Sequence, residues 1–227
     1  MYFTICFTGK SNKREKRIVD VGGIIKLSHI SQAVCMVECS KKKKAERASC
    51  YFLLLMALSF VGWAFENSYM LLSTGKFYNT GFMSMPFCPI YGTSIIITYF
   101  LLGTPDCGRG ILKRTQNALL RNALYIGFAF LIPSLAELLV GAFFDKTFDM
   151  WLWSYSHLPY NLYGYVCLPV SLIWAGLLYV FMKYAFLPLK RLFFRLNGRF
   201  AVILALLLFA AVTMDLTANY RLIWGRL

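Results

Sequence analysis

Five long apolar runs, at residues 50–72, 87–103, 120–144, 162–187 and 200–217, constrain this chain more than any other feature. A helix needs about 20 apolar residues to cross roughly 30 Å of hydrocarbon. The first, third and fourth runs pass that test easily, and the fifth, with AVILALLLFAAV, is the most apolar. The second is short, at about 17 residues, and is expected to begin irregularly. A soluble core could hide one such run but not five within 227 residues. Only 15% of the residues are charged, against about 25% in a typical soluble domain. The fold class expected is an all-α polytopic membrane bundle of about five transmembrane helices, over residues 50–227. A basic tail at 1–49 precedes it.

The formal net charge of +14 would suggest a nucleic-acid partner in a soluble protein. Here the cations flank the apolar runs, where topology and anionic headgroups account for them, and no nucleic-acid reader motif is present. Alternating the sides of the connecting segments puts 20 of the 24 lysines and arginines on one face. Basic loops stay cytoplasmic, so the N-terminus is expected inside the cell membrane and the C-terminus outside. The tail carries the charge runs GKSNKREKR and SKKKKAER, and reads as a disordered cytoplasmic anchor against anionic lipid. A start at Met36 or later would remove most of it.

The seven cysteines show no CxxC spacing, and His29 and His157 are the two histidines, so no metal or other cofactor is expected. Cys88 and Cys167 can pair only if their Cα atoms lie about 4.4–6.8 Å apart.

Two units repeat in layout. Gly62-Trp63-Ala64-Phe65-Glu66 in the first run and Pro133-Ser134-Leu135-Ala136-Glu137 in the third put Glu66 and Glu137 about 10 Å below the outer surface, at 1.5 Å per residue. Each run is followed by a segment rich in Gly, Pro, Asn and aromatics, then by a further run. Both segments end in a Tyr-Gly step, Tyr91-Gly92 and Tyr163-Gly164, near a cysteine. The layout suggests two parallel helix–loop–helix repeats plus one helix, and parallel repeats in transporters commonly hold the site between them. A carboxylate in hydrocarbon costs at least a few kcal/mol, so Glu66 and Glu137 are expected to face a cavity, a partner or water. The alternative is that each ties helices together through neighbouring donors.

Gly81, Pro86, Pro89, Gly92, Pro159 and Gly164 break helix geometry and are expected to shape the two loops. Tyr91, Tyr155, Asn79 and Asn161 are the candidate polar contacts. Trp151, Trp153, Tyr160 and Trp224 read as an interfacial aromatic belt. Asp215, deep in the last run, is expected to cap the bundle against Arg221 or to snorkel outward.

Trp63-Ala64-Phe65-Glu66, Asn79-Thr80-Gly81-Phe82 and Pro86-Phe87-Cys88-Pro89-Ile90-Tyr91-Gly92 together resemble a bacterial membrane-protein signature of the form NRGF…GP.CPIYG. Trp153-Ser154-Tyr155-Ser156 with Pro159 to Gly164 resembles its second block, W.YS..P.N..G. The family is the one called putative ABC-transporter type IV, or ABC transporter permease, and the resemblance covers about residues 50–180. Thr80 and Met85 depart from it, standing where the family usually has Arg and Gly. The resemblance implies a transport permease. No GxxxxGK[ST] occurs here, so an ATPase would be a separate subunit. Membrane lipids and a second copy of the chain are the other expected partners.

The leading expectation is a permease or permease-like subunit using Glu66, Glu137, Asn79, Tyr91, Tyr155 and Asn161. One alternative is a membrane enzyme acting on lipid or envelope precursors, for which paired carboxylates would do acid–base work. No HExxH and no Ser–His or Cys–His arrangement supports it. The other is an accessory or sensor protein.

Overall fold

The computed structural model describes residues 42–76, 83–107, 109–115 and 117–224. Expectations that fall on the tail up to residue 41, on Asn79 and on Gly81 lie outside these residues. The elements are α1 (Lys44–Thr74), α2 (Pro89–Leu102), the single turn α3 (Ile111–Arg114), α4 (Ala118–Phe148), β1 (Asn161–Leu162), β2 (Val166–Cys167), α5 (Leu168–Tyr184), α6 (Phe186–Arg195) and α7 (Gly198–Trp224). The chain is an all-α membrane bundle. α1, α4 and α7 are each long and apolar enough to cross a membrane, and α5 with α6 passes the same test across a 54° bend. α2 is apolar but has 14 residues, about 21 Å of helix, which falls short of a full crossing.

Local chemistry sets these boundaries. α1 starts inside the basic tail, at Lys44, where the Glu46 carboxylate accepts from the Lys43 N–H at 3.4 Å. A carboxylate in the first turn complements the helix dipole, so the last residues of the 1–49 tail are helix. α4 is capped by the Asn117 Oδ1, which accepts from Leu119 N at 2.9 Å and Leu120 N at 3.4 Å. The fourth apolar run turns helical at Leu168 rather than 162, because residues 161–167 form a hairpin. In its turn Tyr163 and Gly164 have φ of 53° and 75°, and Tyr165 N donates to Leu162 O at 3.1 Å. Positive φ at both central residues is the type I′ requirement. The run then breaks at Tyr184–Ala185, because Pro188 has no N–H to give the Tyr184 carbonyl and its ring crowds that turn.

α1 packs against α2, α6 and α7, while α4 packs against α2 and α5. Leu54, Leu58, Tyr99, Tyr125, Met182 and Phe186 form the shared core. Outward-facing leucines such as Leu72, Leu119 and Leu139 are exposed, as a surface solvated by lipid requires. α1 and α2 approach closely where Gly92 lies directly on the Leu55 carbonyl and the Ser59 hydroxyl. Gly92 was expected in a loop; it sits inside α2 and is there because no side chain fits the crossing.

The Cys88 N–H donates to Ser59 O at 3.3 Å, so α2 begins against the middle of α1. The irregular residues 83–87 before it therefore lie within the bundle. Such backbone is tolerated at membrane depth where protein or a cavity surrounds it. α7 secures this segment. Asp215 Oδ2 accepts from Met85 N at 3.3 Å, and Ser84 and Asn219 hydrogen-bond through their side chains. Asp215 thus anchors this irregular segment. The charges separate by end. Glu66, Glu137, Asp145, Asp149 and Asp215 lie toward the end carrying the hairpin, while the 103–117 connection, α6 and the start of α1 carry most of the described cations.

Candidate functional site

Four side chains expected to act together do meet. Glu66 on α1, Tyr91 on α2, Glu137 on α4 and Tyr155 from the 149–160 loop line one cavity of about 320 Å3. Its floor is Cys88, Pro89 and Ile90, and Leu216 of α7 closes one side. The Tyr91 hydroxyl donates to Glu66 Oε2 at 2.9 Å. The Tyr91 ring lies on Gly62, one turn below Glu66, so the absent side chain at 62 is what lets the phenol reach the carboxylate. Glu137 Oε2 is buried and has no hydrogen-bond partner. The two carboxylates are near enough to act on each other, and Tyr155 is near enough to feel both. Burial pushes the Tyr155 phenol above its ordinary value and the Glu137 and Glu66 charges push it further, so it stays a neutral donor.

A second cavity, of about 260 Å3, shares Ile90, Tyr91 and Glu137 with the first and runs between α1, α2, α4 and α5. Its walls are Phe65, Trp174, Leu177 and similar apolar side chains, with Pro133 of α4 among them. Trp174 packs on Tyr91 at 5.2 Å between ring centroids and on Phe65 at 5.6 Å.

Asn161 is not part of the cavity. Its Nδ2 donates to Leu158 O at 2.7 Å and its Oδ1 accepts from Gly164 N at 3.0 Å, so both ends of the amide serve the hairpin. Asn161→Ala is expected to lower stability by about 1 kcal/mol for the lost hydrogen bonds and to leave ligand affinity unchanged. A thermal melt and a binding isotherm on the same preparation check this, and weakened binding at unchanged stability would return Asn161 to the site. Among the loop-shaping residues, Pro89 opens α2 and edges the cavity, and Pro86 stands exposed just before it. The Pro159 carbonyl accepts from the Cys167 thiol at 3.6 Å, and Gly164 is buried beside Trp151. Cys88 and Cys167 are both free thiols.

Two features escaped the sequence reading. Trp153 was assigned to an aromatic belt; it lines the cavity, and its Nε1 donates to Tyr165 O at 2.9 Å, fastening the hairpin over the site. The second is the true echo of the first unit. Gly141 lies under the Tyr165 ring, and one turn further along α4 Asp145 accepts from the Tyr165 hydroxyl at 2.5 Å. Gly62, Glu66 and Tyr91 make the same arrangement. The signal was legible as GWAFE beside GAFFD, a glycine four residues before an acid. Glu137, matched to Glu66 by depth, is instead a separate acid facing it across the cavity. Among the described residues no three His, Cys, Asp or Glu side chains converge as a metal ion would require.

A family model described as putative ABC-transporter type IV matches residues 53–220, which include every described residue of the site. No curated protein and no solved structure matches the chain.

Proposed function

The chain belongs to the putative ABC-transporter type IV family, and from that premise we propose that it is a permease-like transport subunit with a cation-binding cavity at its acidic end. The observation that carries this reading is that Glu66 and Glu137 share one cavity, with a buried oxygen of Glu137 left without a partner. A carboxylate removed from water costs several kcal/mol unless something compensates it. Glu66 has the Tyr91 hydroxyl; Glu137 calls for a positive ligand or a proton. Tyr91, Tyr155 and Trp153 add ring faces, which attract cations. In this reading Glu66 and Glu137 bind the charge, Tyr91 orients Glu66, and Tyr155 donates to whichever carboxylate is ionised. The basic end faces the cytoplasm and the cavity opens on the outer side, in keeping with the retention of basic segments inside. Energy would come from a separate ATPase subunit, because this sequence has no phosphate-binding loop, or from a gradient.

Tetramethylammonium tests this, since a permanent charge does not leak across the bilayer as a free amine would. Cells expressing the full chain should move it at a rate that falls at least tenfold in Glu66→Gln and in Glu137→Gln at equal abundance in the membrane. Equal flux in wild type and both variants would remove the carboxylates from the site.

A further inference from the structure

We propose that the substrate is a net-cationic amphiphile, with its charged head between Glu66 and Glu137 and its apolar tail in the adjoining cleft between α1, α2, α4 and α5. This rests on the cation-binding reading above and adds the tail. Three observations carry it. The acidic cavity and the apolar cleft are contiguous, sharing Ile90, Tyr91 and Glu137, so a molecule in one extends naturally into the other. The cleft offers about 260 Å3 walled by Val61, Phe65, Ile95, Trp174 and Leu177, a lining suited to a hydrocarbon or ring and wasted on a hydrated ion. Ser94, at 5% exposure, lines the cleft with its hydroxyl buried and unpartnered, a hydrogen bond that an occupant would satisfy once the hydroxyl turns toward it.

The same residues choose between cations. A zwitterionic lipid headgroup would bring a phosphate within a few ångströms of its ammonium. Two carboxylates already line the cavity, and among the described residues no lysine or arginine lines either space. A phosphate there would meet like charge in a medium where such contacts cost several kcal/mol. A single positive charge on an apolar body meets no such penalty.

Propyltrimethylammonium and octyltrimethylammonium separate the head from the tail. Their affinities would be measured by calorimetry on the full chain in detergent. Each protein is compared with wild type for the same ligand, so that partition into micelles cancels. Leu177→Trp fills the cleft from α5, and Val61→Trp fills it from α1 should the first variant fail to fold. Each buried methylene is worth roughly three- to fourfold in affinity, so losing even part of the tail site is a large effect. The expected result is at least a tenfold loss for the octyl ligand in the filled variant and an unchanged propyl affinity, with both ligands lost in Glu137→Gln. If both ligands depend on Glu137 and neither responds to either tryptophan, the tail assignment is overturned and the cation site stands. If neither ligand responds to Glu66→Gln or Glu137→Gln, the cation site itself is wrong. Competition by phosphatidylethanolamine as strong as that by the octyl ligand would overturn the net-cation requirement and make the occupant a membrane lipid.

Discussion

Gly92→Val is expected to abolish the folded protein. A Cβ at position 92 meets the Ser59 hydroxyl and the Leu55 carbonyl at once. The hydroxyl could rotate away; the carbonyl is helix backbone and cannot. α1 and α2 would have to separate along the crossing that also seats Cys88 N on Ser59 O. Overpacking of a fitted interior typically costs about 1–3 kcal/mol, and a β-branched residue against backbone belongs at the top of that range or above it. Gly92→Ala should be milder by the two further methyl groups, and Ser59→Ala should rescue it in part, since half of the obstruction remains. The measurement is the yield of monodisperse protein with its melting temperature. A Gly92→Val protein that elutes and melts like wild type would mean that the α1–α2 crossing is looser than described. Gly62→Ala gives a contrasting result. Its Cβ meets the Tyr91 ring, which can swing aside, and the Tyr91 Cβ, which the α2 backbone holds in place. The protein should fold with a lowered melting temperature, less affected than Gly92→Val, and with Tyr91 displaced from Glu66 and cation binding weakened.

The second large effect is at the opposite end of the bundle, where a buried lysine is held by aromatic side chains. Lys190 on α6 is 3% exposed, its Nζ donates to the Tyr99 hydroxyl at 2.6 Å, and it stands over the rings of Tyr99, Tyr51 and Phe194 at 4.7–5.2 Å. Arg109 lies on the same Tyr99 ring at 4.8 Å. One phenol therefore ties α2, α6 and the loop after α2 together. Tyr99→Phe keeps the ring and removes the acceptor, leaving a buried ammonium short of a hydrogen bond, at a cost of about 2–3 kcal/mol. Lys190→Met removes the charge that needed it and should be close to neutral, because a flexible apolar chain of similar length fills the space. The double variant should recover most of the Tyr99→Phe loss. Melting temperatures of the four proteins form the cycle, and strict additivity would show that the lysine does not depend on that hydroxyl.

The parts of this fold legible in the sequence were those set by one-dimensional patterns. Apolar runs gave the helices, since hydrocarbon demands length and composition alone. The acids at 66 and 137 were legible because a carboxylate in such a run has few places to go. What depended on contact between distant residues was not. Gly92 looked like loop punctuation because its neighbours are Tyr and Pro-rich sequence; the Leu55 carbonyl that requires it is 37 positions away. Asn161 looked like a site residue because it fits no aromatic belt, yet both of its amide groups are taken by backbone within three residues. Trp153 looked like a belt residue because composition cannot tell an indole at the lipid surface from one bonded to Tyr165 O. The break at Tyr184–Ala185 could have been read from Pro188, and the second glycine–acid–tyrosine set from GAFFD.

The brevity of α2 has a consequence for the electric field across the membrane. Its first turn floors the acidic cavity, so between that floor and the basic end lie 14 helical residues, about 21 Å, in place of roughly 30 Å of hydrocarbon. With the cavity water-filled and open to the outside, as proposed, a resting potential that drops across this thinner septum would be about one and a half times steeper there than in the surrounding bilayer. On the proposed reading, with the basic end cytoplasmic, a positive charge held by Glu66 and Glu137 would sit at the brink of that steepened drop, and the membrane voltage itself would draw it toward an interior held negative.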